Sequence, residues 1–465
     1  MNLFDIVGPT MVGPSSSHTA GAVRIGNVCR KLMGEPVKKA KIYFHGSFLA
    51  TGKGHGTDKA IVAGLLGMAV DDERIPDSFE VAGHQHMEFT FEAADLGEVH
   101  SNTAKLVLTG VSGKELEVVA ASVCGGRINV SEIDYSAADF SGEYPTLIIY
   151  NKDKPGLVAG VTDMLQHRSI NIAAMQLHRS GRGGVAIMVI ETDQEVWQDA
   201  IEQNIGLEEH FKMMRDLYFA MKSSDEKYDE NQKSNSGLVG GEASKVHKRR
   251  MEGKLLCGDF CGVAMEKALR ISESNACMKR FVAAPTAGSC GVVPAVLISF
   301  QEKENLDDDT MTKALYVAAG IGGVIASRAS LSGAEGGCQA EIGSASAMAA
   351  GALCFLQGGD CRQICHAAAL ALKGLLGLAC DPVGGLVEVP CVKRNVIGAI
   401  NAVSSTDMVL AGIYSKIDPD QVIDAMKNIG RCMSPSIKET GLGGLAVTPE
   451  GREIAEKLAH NNKPE

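Results

Sequence analysis

The chain has 465 residues, 45% of them apolar, a formal net charge of −11 and a single Trp. That length implies about two to four domains and enough apolar surface for several cores. The acidic balance argues against nucleic acid and anionic membranes as partners, and no apolar stretch reads as a transmembrane span. The opening MNLFDIVGPT has no basic region followed by an apolar one, so a cytosolic location is expected.

Residues 1–143 read as an α/β domain. AGAVRIGNVCRKL and TDKAIVAGLLGMAV have apolar-faced helical spacing, and KAKIYFHGSF, HMEFTFEA, TAKLVLTG and LEVVAASVCGG read as strands. Residues 146–221 change character. TLIIYN, INIAAMQLHRS and GVAIMVIETD are strands, DKPGLVAGVTDMLQHR and EVWQDAIEQNI are helices, and HFKMMRDLYF is expected as a last strand. This β-α-β-β-α-β order is the ferredoxin-like α+β arrangement. The polar tract 222–245 has no apolar period and is expected to be a solvated linker. Residues 246–460 are rich in Ala, Gly, Leu and Met at helical spacing, which predicts an all-α domain with Gly-rich interruptions. The whole is thus multidomain.

Of the 13 cysteines only Cys29 and Cys124 precede residue 257. An odd count without an export signal argues against a disulfide framework, and the clustering favours metal or redox chemistry in the C-terminal part. Cys338, Cys380 and Cys391 each lie beside Gly or Pro next to a helix. A thiolate at a helix N-terminus has a lowered pKa, which is the expectation for Cys338. Cys354, Cys361 and Cys365 fall inside apolar helical runs and are expected to be core residues. The ten residues between Cys380 and Cys391 are too many for a zinc knuckle. Spacing alone leaves a cluster and a structural zinc site both open.

GPSSSHTAG places Ser15, Ser16, Ser17, His18 and Thr19 before a helix, where hydroxyls and N–H groups suit a carboxylate. The plain alternative is an ordinary N-cap. PTAGSCG offers a similar loop with Thr286, Gly288 and Ser289, or else only a turn between helices. His55 is flanked by glycines before a helix, free to face a cleft as an acid or base, or to cap the helix.

SGAEGGCQAEIGSA with CDPVGGLVEVPCVKRN resembles the α part of the bacterial iron–sulfur L-serine dehydratases. GPTMVGPSSSHTAGAVRIG and HGSFLATGKGHGTDKA resemble the β part of that family. The middle segment, with YNKDKPGLVAGVTDMLQHRSINIAAM, is similar to ACT domains. The resemblance implies a 4Fe–4S cluster on Cys338, Cys380 and Cys391, with an open iron acting as a Lewis acid. It implies conversion of L-serine to pyruvate and ammonia, with His55 as the proposed base and the two Ser/Thr loops holding the carboxylate. It also implies an amino-acid effector at Asn151, Asp153, Gly156 and Asn171, and a homodimer; pure dimerisation is the alternative role. Cys432 is the only cysteine after Cys391, and the expectation is that it leaves the fourth iron to water or substrate. The competing readings are an iron–sulfur hydro-lyase for L-threonine or a hydroxyacid, and a regulatory amino-acid-binding protein with a structural metal.

Overall fold

The computed structural model describes residues 3–123, 126–142, 145–167, 170–179, 184–192 and 207–461. The N-terminal part is built on a six-stranded sheet in the order β3-β2-β4-β5-β6-β7. Its strands are β2 (Val37–Phe44), β3 (Glu88–Ala93), β4 (Thr103–Gly110), β5 (Glu115–Ser122), β6 (Ile128–Ile133) and β7 (Ser136–Phe140). Only the β2–β3 pair is parallel. Period-2 burial along β4 turns Ala104, Leu106 and Leu108 inward. They meet the apolar stripes of the helices Gly21–Met33 and Thr57–Leu65 in one core. The β6–β7 hairpin has no counterpart in the sequence reading. Its turn uses Asp134 and Tyr135 at φ 47° and 62°, without the Gly that usually marks such a turn.

The middle part is a three-stranded antiparallel sheet, β8-β10-β9. It comprises β8 (Thr146–Lys152), β9 (Ile172–Arg179) and β10 (Val185–Thr192), with the helix Leu157–His167 between β8 and β9. Met188 and Ile190 face that helix, whereas Ile187 and Val189 join the core of the six-stranded sheet. The expected helix at 195–205 lies outside the described residues. The expected last strand at 210–219 is instead part of a helix, Leu207–Glu226. Met214, Tyr218 and Met221 recur at intervals of four and three and bury one face in the C-terminal core, which a strand could not do.

The tract 222–245 is not a free linker. Val239 is buried, the Ser234 and Ser236 hydroxyls donate to Glu388, and the Glu242 N–H donates to Glu273. Polar residues here are consumed by hydrogen bonds to the helical part, which a composition reading cannot distinguish from hydration.

The C-terminal part is helical. The helices Gly258–Ala276, Val292–Glu304, Asp308–Arg328, Ser344–Leu356, Cys361–Gly374 and Cys391–Leu410 enclose one large core. Asp308–Arg328 is long and apolar enough to cross a membrane, and it packs into this core through Leu315, Ala318 and Ala319. The part is not purely helical. β11 (Arg280–Val282) pairs antiparallel with β1 (Thr10–Val12), so Thr10 lies opposite Val282. Ile6, Val7 and Met11 are members of the helical core. Ile6, Val7 and Met11 therefore pack with the C-terminal part, while Val12, at the end of β1, already joins the core of the sheet that follows. Cys361 and Cys365 are exposed, contrary to the core expectation, because the helix Cys361–Gly374 buries its other face through Ala367, Ala368, Ala371 and Leu372.

Candidate active site

The first half of the site is the segment Ser15–Thr19. Its hydroxyls cap and orient a single histidine. The Ser15 side chain accepts the His18 N–H at 3.1 Å, and Ser17 Oγ lies 3.0 Å from His18 Nδ1. His18 Nε2 lies 2.9 Å from Ser47 Oγ. The Thr19 hydroxyl donates to the His55 carbonyl at 2.9 Å. Ser16 opens the wide helical turn Ser16–Ala20, which runs into the helix Gly21–Met33.

His55 is the last residue of the helix Gly46–His55, where Gly56 turns the chain at φ 66° into the next helix. It is 2% exposed, and neither ring nitrogen has a hydrogen-bond partner. Burial lowers its pKa to about 4. Its ring centroid lies 4.7 Å from that of His18. The His18 pKa is also lowered, first by burial and then by the neighbouring His55 charge. Both imidazoles are therefore neutral near pH 7. His18 is held at both nitrogens, whereas the His55 ring has at most a poorly aligned approach to the Thr51 backbone carbonyl one turn back.

The second half belongs to the helical part. Thr286 caps the short turn Ala287–Ser289, its hydroxyl 3.0 Å from that of Ser289. Two buried amides fix this loop. Asn275 donates to the Ala287 carbonyl at 2.7 Å, and Asn395 donates to the Gly288 carbonyl at 2.8 Å. Thr286 also donates to Glu341 Oε1 at 2.8 Å.

Cys338, Cys380 and Cys391 come from three separate segments. Cys338 precedes the turn Gln339–Gly343, Cys380 pairs its backbone with Ile437 and Glu439, and Cys391 begins the helix Cys391–Leu410. They are 2%, 3% and 7% exposed, and none is in a disulfide. They lie close enough for one charge to act on another: the Cys338 charge raises both other thiols. Cys338 itself is pushed up to about 12, first by burial and then by Glu341. This reverses the lowered pKa expected from the helix start, because burial outweighs the few aligned dipoles there. Among the described residues no group of three His, Cys, Asp or Glu side chains converges on a single-ion site.

The loop between Cys380 and Cys391 joins the two halves. It turns at Val383–Gly385 and lies against the helix that ends in His55. A Cβ on Gly54 would sit 2.3 Å from Leu386 Cδ2, and one on Gly385 would sit 2.4 Å from Thr51 Cγ2. Only glycine allows an approach this close.

Several site residues were not anticipated from sequence. Glu341 lies 3.8 Å from the Cys380 sulfur. Glu439 is brought up by the backbone pairing with Cys380, and its pKa is raised to about 8 by burial and by Glu341. Arg394 donates to the Ala379 carbonyl at 2.7 Å and to Asp381 at 2.9 Å, clamping the start of the loop. The available signal was spacing. Glu341 and Arg394 each stand three residues after a predicted ligand, one helical turn on. Glu439 carried no such signal.

Of the residues expected to bind an effector, Asn151 is on β8, Asp153 and Gly156 follow it, and Asn171 stands just before β9. Asp153 pairs with Arg179 at 2.9 Å. Asn151 has neither amide atom hydrogen-bonded, Gly156 adopts φ 86°, and Asn171 is exposed.

Comparison with known proteins matches the chain in two pieces, the second beginning inside the helix Leu157–His167. Residues 1–132 match the family model of the serine dehydratase beta chain, and residues 162–446 match that of the serine dehydratase alpha chain. An L-serine dehydratase of Streptomyces coelicolor is 33% identical over 482 residues, covering 96% of this chain and 98% of the relative. L-serine dehydratase 2 of Escherichia coli K12 is 30% identical, again covering 96% and 98%. The probable L-serine dehydratase alpha chain of Bacillus subtilis is 49% identical over 251 residues, 54% of this chain and 84% of the relative. With both halves matched in one polypeptide and relatives aligned over nearly its full length, the chain belongs to the serine dehydratase family.

Proposed function

We propose that the protein is an L-serine ammonia-lyase that forms pyruvate and ammonia, with a 4Fe–4S cluster held by Cys338, Cys380 and Cys391. The observation that carries this reading is the meeting of three buried thiols from distant segments beside a Ser/Thr loop, in a chain of this family. The donor set fits the group, because soft sulfur ligands suit iron–sulfur centres. When bound, such a cluster supplies Lewis acidity toward the substrate hydroxyl, with fewer protein thiolates than irons.

The chain's own residues position the substrate and move a proton. Hydroxyls and N–H groups of the segment Ser15–Ser17, with Ser289, hold the carboxylate, while the Thr19 and Thr286 hydroxyls fix the His55 carbonyl and Glu341 beside it. His55, neutral and unbonded, takes the Cα proton. The Cα–H electron pair becomes the Cα–Cβ double bond as the Cβ–O bond breaks; the oxygen departs as hydroxide and takes the proton held by His55 to become water, which returns the imidazole to its neutral form. The resulting enamine tautomerises to an imine, which water hydrolyses to pyruvate and ammonia. Purification without air followed by a pyruvate assay tests this. L-serine should give pyruvate, brief air exposure should abolish it, and iron with thiol should restore it. Air-stable activity in iron-free protein would refute the cluster.

The three-stranded sheet with its helix is read as an ACT-type regulatory unit in a cytosolic homodimer. The unbonded Asn151 amide beside Asp153 supports an amino-acid ligand there. Calorimetry on the full chain should show one amino acid binding at millimolar concentration or below and Asn171→Ala weakening it. If no amino acid binds outside the active site, only a dimerising role remains.

A further inference from the structure

We propose that Glu341 receives the ammonium group of L-serine and so selects amino acids over hydroxyacids; this rests on the serine reading above. Glu341 stands where the two ends of the reacting group meet. One carboxylate oxygen takes the Thr286 hydroxyl at 2.8 Å, and the other lies 3.8 Å from the Cys380 sulfur. In L-serine the amino nitrogen and the hydroxyl oxygen are borne by adjacent carbons. The group that holds one must therefore lie beside the groups that act on the other. A carboxylate touching both the Thr286 loop and a proposed cluster ligand meets that requirement.

The charge around Glu341 points the same way. Among the described residues no ion pair to Glu341 is formed, the nearby Arg394 pairing with Asp381 instead. Arg394, whose charge reaches it, is committed to Asp381 and the Ala379 carbonyl. Burial raises the Glu341 pKa, and Glu439 is a second carboxylate close by, so the ionised form is held here only where a cation joins it. Glu341 is only part-buried, as are Thr286 and Gly288 beside it, so the three are not sealed in packed core. The substrate's ammonium is the cation that the reaction itself brings. Glu439 is the weaker candidate, because its carboxylate already accepts the Ala334 N–H and it makes no contact with the Thr286 loop.

The test compares L-serine with 3-hydroxypropionate, which is L-serine without its amino group. Parent and Glu341→Gln proteins are prepared without air, and iron content is measured on both. L-serine is read by KM, 3-hydroxypropionate by its inhibition constant, and both by calorimetry. In Glu341→Gln, L-serine should weaken by about 30- to 1,000-fold. 3-Hydroxypropionate should change less than about threefold, with iron unchanged. Equal weakening of both ligands, or no weakening of L-serine, overturns the proposal. Should Glu341→Gln fail to fold or lose iron, Glu341→Asp carries the test. It keeps the charge but withdraws it by one carbon, and the same selective loss is required. A parent that binds both ligands with this preference but makes no pyruvate would refute the serine reading while leaving the ammonium contact supported.

Discussion

Cys380→Ser is expected to strip the protein of iron and lower pyruvate formation by more than about 100-fold, since even outer partners of metal ligands are worth about 10–100-fold. Cys380 is fixed from both sides. Its N–H donates to the Ile437 carbonyl at 2.9 Å, and its carbonyl accepts from Glu439 at 2.8 Å. A serine there keeps the backbone pairing and nearly the same volume, so the loss reports the missing sulfur and not a collapsed loop. Cys361→Ser and Cys432→Ser should keep both iron and activity. Both residues are exposed, and Cys361 lies on the outer face of its helix. Iron and sulfide assays with the visible spectrum decide. Full iron in Cys380→Ser, or loss of iron in Cys432→Ser, would mean that the ligand set is wrong.

His55→Ala should lower kcat by about 10²–10⁴-fold with little change in iron, the range for removing a positioned proton acceptor. The imidazole must be neutral to accept the Cα proton. Its pKa is lowered to about 4, so it is ready well below neutrality, and an acid limb caused by His55 should fall near pH 4. Folding depends on pH over a different window. The unfolded histidine titrates near 6.5 and the folded one near 4, so the unfolded state binds the extra proton first. Stability from this buried neutral ring is fully present above about pH 6.5 and is lost as pH falls toward 4, about 3 kcal/mol in all. Between these values the folded enzyme should keep a neutral base while its stability declines, so the melts should shift before kcat does. Stopped assays on protein held briefly at each pH, alongside denaturant melts, separate the two. A kcat acid limb near pH 6.5 that His55→Ala abolishes would contradict the lowered pKa.

The sequence was most readable where one period dominates. β4 and the helices Gly21–Met33 and Thr57–Leu65 follow their apolar patterns, because each buries a single face. It was misread where short windows carry two periods. HFKMMRDLYF looks like a strand from its aromatic residues, yet Met214, Tyr218 and Met221 bury a helical stripe. The tract 222–245 was misread because Ser234, Ser236 and Tyr228 spend their polar groups on Glu388 and Glu273, partners more than forty residues away. In the site, the Ser15–Thr19 segment, His55 and the cysteines were visible as local runs with glycine punctuation. Asn275, Asn395 and Glu439 were not, since each reaches the site through a fold-level contact that leaves no local trace.

The pairing of β1 with β11 also sets an order of events during synthesis. Thr10 leaves the ribosome early, but its partner Val282 is made roughly 270 residues later. At about 5–20 residues per second that is a delay of roughly 15–55 s. Throughout it Ile6, Val7 and Met11 have no helical core to enter, although the sheet behind them can already close. The nascent chain thus carries an early-made apolar segment that waits for partners made much later, and a holdase or a second nascent copy has that interval in which to capture it.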